Sequence, residues 1–197
     1  MMRVLLFVLT LLVGLHAEAQ VTTPHLILPT YGGVENQRLS SLSAANALHC
    51  WRLPTRLGVT GATKMASGMT VGTGVAGTVI GFGIYPDSDT GPAFATISGA
   101  ANLTGPVSAT GLPSFALTEA QIVRLCVCAS SNAAGFGGYI GIFEAAAAAS
   151  NKDALVNVNV TRAAIGASVC TVGVPPSTTG ALSTLITVLM PPVILVE

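Results

Sequence analysis

Along the chain, apolar positions recur with a period of two over short stretches closed by glycine, proline and small polar residues, the pattern of strands rather than of helices. Val75–Pro86 is the clearest case. Ile80, Phe82 and Ile84 alternate there with Gly81, Gly83 and Tyr85, so large apolar groups fall on one face and two glycines on the other. The glycine face is expected to lie under a neighbouring backbone or a large side chain. Gln121–Ala129 places Val123, Leu125 and Val127 on one face and Arg124, Cys126 and Cys128 on the other. The same reading predicts strands over Ala47–Leu53, Arg56–Met65, Ala93–Ser98, Leu112–Leu117, Gly137–Phe143, Val156–Thr161, Ala167–Val174, Leu185–Leu189 and Val193–Val196. Glu144–Ala149 breaks the pattern, because an alanine run has the best helix propensity, and predicts a short Ala-rich helical excursion. Short strands without interleaved helices predict an all-β fold, an antiparallel β-sandwich or jelly roll.

The N-terminal region follows other rules. Arg3 precedes an apolar run from Val4 to Leu15, and the small residues Ala17 and Ala19 flank Glu18, the layout of a secretory signal peptide over residues 1–19. A run of this length falls short of the ~20 helical residues needed to span a bilayer, so no stable membrane span is expected in the mature chain. The alternative is a retained N-terminal helix. Residues 20–45 contain Pro24, Pro29, Gly32, Gly33 and the polar run Asn36 to Ser43, and read as a lead-in with at most one edge strand at His25–Leu28. Residues 46–197 then form the sandwich domain.

Composition narrows the function classes. The 197 residues are 51% hydrophobic and only 8% charged, with 8 Lys plus Arg against 8 Asp plus Glu, so no positive excess exists to neutralise phosphates. Nucleic acid is not an expected partner.

Four cysteines, Cys50, Cys126, Cys128 and Cys170, fit an oxidising compartment and hence a secreted or extracellular location. In a strand, Cys126 and Cys128 point to one face with Cα atoms about 6.6 Å apart and parallel Cβ vectors, poor geometry for joining each other. Any disulfides then join Cys50 and Cys170 separately to these two. Buried unpaired thiols are the other reading. Metal is not expected, since C-x-C lacks the usual zinc spacing and only His49 adjoins a cysteine.

No catalytic motif emerges. The G-x-S-x-G elbow is absent, and His25 and His49 both read as structural. The sparse acidic residues cannot be placed at the separation a glycosidase pair needs. Asp87 and Asp89, with Ser88, Thr90 and Gly91, offer oxygen ligands that suit calcium, although an acidic turn joining two strands is the plainer reading. Trp51 reads as core. No cofactor is implied, and the chain reads as non-enzymatic.

Leu48–Pro54, the Val79–Tyr85 segment running into an acidic turn and Gly91-Pro92, Phe115–Cys128 and the ending from Gly180 through Pro191 to Glu197 resemble the C-terminal β-sandwich modules of phage tail fibre or tail spike proteins over about residues 43–197. The resemblance implies a jelly-roll-like module, commonly a homotrimer, exposed at a virion tip and attached to host-surface or glycan ligands. Binding residues tend to lie on loops held by a rigid scaffold, which makes Tyr85, Asp87 and Asp89 the candidate ligand-binding residues. Two alternatives stand beside this expectation. One is a secreted carbohydrate-active enzyme. The other is an exported subunit that polymerises by strand exchange, through the apolar segments Leu26–Leu28 and Val193–Val196.

Overall fold

The computed structural model describes residues 25–26, 37–42, 44–55, 58–71, 77–101, 105–132, 134–139, 162–187 and 192–197. Every strand pairing among them is antiparallel, and no helix occurs among them. The expected helical excursion at Glu144–Ala149, the Val156–Thr161 strand and the N-terminal signal lie outside the described residues.

The first sheet has at its centre β3 (Ala47–Pro54), β10 (Ile122–Ala129) and β6 (Val79–Pro86), in that order. It is extended by β12 (Arg162–Val169) and β13 (Leu182–Thr187) beyond β3, and by β7 (Ala95–Ala100) beyond β6. The second sheet runs β1 (His25–Leu26), β14 (Ile194–Val196), β5 (Met65–Val71), β11 (Gly135–Tyr139), β2 (Gln37–Ser41), and β8 (Gly105–Ala109) also pairs with β5. Met65 pairs with both Val196 and Ala109, so β14 and β8 flank opposite edges of β5. A small ladder joins β4 (Val59–Ala62) to β9 (Phe115–Leu117).

Period-two alternation explains the core. Trp51, Leu53, Ile80, Phe82, Ile84, Val123, Leu125 and Val127 from the first sheet pack with Met65, Val107, Phe136, Ile194 and Val196 from the second. Phe136 joins the sheets edge-on, with ring centroids 6.1 Å from Trp51 and 6.5 Å from Phe82. This is a β-sandwich.

The central strands of the first sheet are buried on both faces. Their other face carries Leu48, Cys50, Tyr85, Cys126 and Cys128, which cluster with Cys170. Residues 170–181, the link from β12 to β13, cover that face as a strap. The glycine face of β6 lies under the strap, as its pattern predicts. A Cβ at Gly81 would overlap the Gly173 carbonyl and the Pro175 ring, and one at Gly83 would collide with the Tyr85 ring folded back over it.

Disulfides join Cys50 to Cys126 and Cys128 to Cys170. The first links residues directly opposite in the β3/β10 ladder, with Cα atoms 4.1 Å apart. The second ties the strap to β10. Two disulfides indicate an oxidising, extracytoplasmic environment.

Several expected elements are corrected. The single strand over Arg56–Met65 is two, because Gly61 has φ 71° and Thr63 and Lys64 turn to donate their amides to Glu197 O at 2.9 and 2.8 Å. The strand expected over Ala167–Val174 ends at Val169, after which the chain leaves the sheet to form the strap. β8 follows a proline-containing start that masked it, and the polar Gln37–Ser41 forms β2 against β11 rather than an unpaired lead-in. Apart from these corrections, the two apolar segments named for strand exchange are neighbours in the second sheet, with Leu26 opposite Leu195.

Candidate functional site

The acidic turn leaving β6 is built from local hydrogen bonds. Ser88 N donates to Pro86 O at 2.8 Å, and Ser88 Oγ accepts from Gly91 N at 3.2 Å, which closes the loop. This projects Asp87 and Asp89 over one end of the first sheet. Register then decides what they meet. Arg52, Arg124 and Tyr85 form one row across β3, β10 and β6. Two guanidinium groups directly opposite on neighbouring strands repel each other, so the row calls for a bridging anion.

Asp87 supplies it. Arg52 Nε donates to Asp87 Oδ1 at 2.9 Å and Arg52 Nη2 to Asp87 Oδ2, while Arg124 Nε donates to the same Oδ1 at 3.2 Å. Arg124 Nη2 pairs with Asp89 Oδ1 at 2.9 Å. Its Nη1 donates to Thr179 Oγ1 at 2.6 Å and to Gly180 O at 3.3 Å. The buried Arg124 therefore ties turn, sheet and strap together with all three guanidinium nitrogens.

Hydrogen bonding from Arg52 holds the Asp87 carboxyl below the usual carboxylate range, and the Arg124 bond adds to it against the effect of burial. Asp87 in turn raises Arg52. A carboxylate held ionised in this way accepts hydrogen bonds and does not supply a proton at neutral pH.

Exposure divides the cluster into a buried brace and a presented edge. The Arg124 side chain is 9% exposed, whereas Arg52 and Asp89 are 48% and 53% exposed. Tyr85 is corrected as a ligand-facing aromatic: it is fully buried, its hydroxyl donates to Pro176 O at 2.7 Å, and burial raises its pKa. It holds the strap and offers no ring to a ligand. Asp87 and Asp89 do come together, but around two arginines. Among the described residues no group of three or more His, Cys, Asp or Glu could hold a metal ion.

Sequence reasoning passed over Arg52, Arg124 and Thr179 as members of this cluster. The signal for Arg124 was present, since a charged residue on the face shared by Cys126 and Cys128 has to be covered by a counter-charge if that face is buried. The signal for Thr179 was not, because it lies 55 residues away on an uncharged link.

Comparison with family models, with curated proteins and with solved structures finds no match.

Proposed function

We propose that this chain is a non-enzymatic structural and attachment module of an extracytoplasmic or virion-tip assembly, presenting the Arg52/Asp87/Asp89 edge to a host-surface glycan. The observation that carries the reading is the braced cluster itself. Arg52 and Asp89 are half exposed, yet their positions are fixed by Asp87 and by the buried Arg124 anchored to the strap. Planar carboxylate and guanidinium groups held in place match pairs of sugar hydroxyls, and holding them in advance reduces the entropy lost on binding. The resemblance read from the sequence over about residues 43–197 is what suggests the same role and a homo-oligomeric, commonly trimeric, assembly.

A glycan panel and binding to intact cells test the reading. Asp89→Ala and Arg52→Ala are expected to weaken glycan binding about tenfold or more while shifting the melting temperature by only a few degrees, since exposed ion pairs contribute about 0–1 kcal/mol. Absence of binding across the panel, or binding untouched by both substitutions, overturns it.

A further inference from the structure

The end of the first sheet that carries the ion-paired edge also carries an apolar residue that the cluster leaves uncovered. Ile122 opens β10, is 42% exposed and pairs with the half-buried Pro54. Arg124 pairs with Arg52 two residues further along the same strands. By the period of two, these four side chains fall on one face in adjacent rows. The other exposed large hydrophobics among the described residues, Val169, Val172 and Val174, gather where β12 and the strap meet Ala47 and Asn46, at the opposite end of β3 and β10. A single exposed isoleucine is ordinary in itself, and its place beside two half-exposed charges is what gives it meaning.

The row is fixed from its outer end. Thr55 N donates to Gln121 O at 2.8 Å, Gln121 N to Thr55 Oγ1 at 3.0 Å and Ala120 N to Thr55 O at 2.9 Å. Ile122 therefore projects from a held backbone, and its branched Cβ restricts the side chain further.

Charge then narrows what this face accepts. Arg52 and Arg124 are balanced by Asp87 and Asp89, so the cluster has no net charge. Among the described residues, no hydrogen bond reaches Arg52 Nη1 or Asp89 Oδ2. The face thus offers guanidinium donors and a carboxylate acceptor next to an apolar surface. Neighbouring hydroxyl groups satisfy both, since each hydroxyl donates and accepts. An acidic sugar brings a carboxylate that Arg52 attracts but Asp89 repels, and the exposed Glu119 just before β10 adds to the repulsion. An uncharged pyranose has what the face lacks: hydroxyls around its rim and C–H groups on its flat side.

We propose that Ile122, with Pro54 beside it, is the platform for the C–H face of an uncharged pyranose whose hydroxyls meet Arg52 and Asp89, so that the edge selects neutral over acidic sugars. This rests on the glycan reading and adds to it a sugar class and a specificity-determining residue.

Matched oligosaccharides test it on the full disulfide-bonded chain: one set ends in glucose, galactose or mannose, the other in the corresponding uronic acid. The neutral set is expected to bind about tenfold more tightly, with less than about a twofold change between about 0.05 M and 0.5 M NaCl. Ile122→Ser is expected to weaken neutral binding about tenfold and Ile122→Leu to keep it within about twofold, both melting within a few degrees of the wild type because the position is exposed. Asp89→Asn, which leaves a net positive charge, is expected to lower the neutral-to-acidic ratio about tenfold. Tighter binding of the acidic set, or neutral binding that Arg52→Ala and Asp89→Ala weaken but Ile122→Ser does not, overturns this inference and leaves the glycan reading standing. Binding to neither set, or cell binding that survives periodate cleavage of the surface sugars, overturns both.

Discussion

Arg124 shows how much one residue decides in a chain with so few charges. Its guanidinium is shared among Asp87, Asp89, Thr179 and Gly180, and little of it reaches solvent. Arg124→Met takes the buried donor from Thr179 Oγ1 and from Asp87 and Asp89, while Gly180 O keeps the Thr179 hydroxyl at 3.0 Å, and is expected to destabilise the fold by about 2–4 kcal/mol in urea denaturation. Arg52→Met, at a half-exposed position, is expected to cost only about 0–1 kcal/mol. The reverse ranking would show that Asp87, rather than the strap anchor, dominates. Two glycines give a second contrast. Gly77 and Gly173 have φ 81° and 76°, but an added methyl meets nothing within 4 Å at Gly77, whereas at Gly173 it strikes the Val79 carbonyl and approaches Ser130 N at 2.9 Å. Gly77→Ala is expected to cost about 1–2 kcal/mol and Gly173→Ala about 3 kcal/mol or more, the excess measuring the close approach of strap to sheet.

Among the elements, those visible in the sequence are the ones whose two faces differ chemically. β6 and β10 were legible because apolar residues alternate with glycine, cysteine or arginine, and burial follows that alternation into the two core clusters. β2 and β8 were not, since a polar edge strand and one that opens on Gly105 and Pro106 lack a period to detect. The strap was hidden for a different reason. Ala167–Val174 has strand composition throughout, and only the three-dimensional requirement to cover Gly81 and Tyr85 pulls residues 170–181 out of the sheet. The candidate site was legible by halves: the acidic turn by composition, its arginine partners only through register. Its dependence on the disulfides can be separated. Cys128→Ala with Cys170→Ala opens a link spanning 42 residues, worth about 4 kcal/mol by chain entropy, and releases the strap. Limited proteolysis followed by mass spectrometry is expected to cut within residues 170–181 first. Removing Cys50 and Cys126 instead, which already face each other across a hydrogen-bonded strand pair, is expected to lower stability without exposing the strap to cleavage.

At the scale of the whole molecule, a sandwich with a covered outer face buries titratable groups that water would otherwise solvate, and stability then depends on pH in a direction the structure dictates. His49 is fully buried, its Nδ1 3.0 Å from Ala47 O, and burial lowers its pKa from 6.5 despite opposing backbone hydrogen bonds at Ala47 and Val127. The unfolded chain takes up that proton near pH 6.5 while the folded chain does not, so the contribution is complete above 6.5 and is lost as pH falls below it. Asp87 acts lower on the scale. The Arg52 and Arg124 bonds hold its carboxyl below 3.8, so its contribution is complete above that value and is lost as pH falls from there through the depressed folded value. Both groups therefore weaken the fold toward acid, in two stages, with a flat region above pH 6.5. Urea midpoints measured from pH 8 to pH 2 are expected to trace those stages. His49→Gln is expected to flatten the upper stage only, and Asp87→Asn the lower stage only, because the two groups are distinct in position as well as in pKa. A midpoint that rises between pH 7 and pH 5 would contradict the assignment of a neutral buried His49, and an unchanged lower stage in Asp87→Asn would transfer the acid sensitivity to carboxyls outside the arginine cluster.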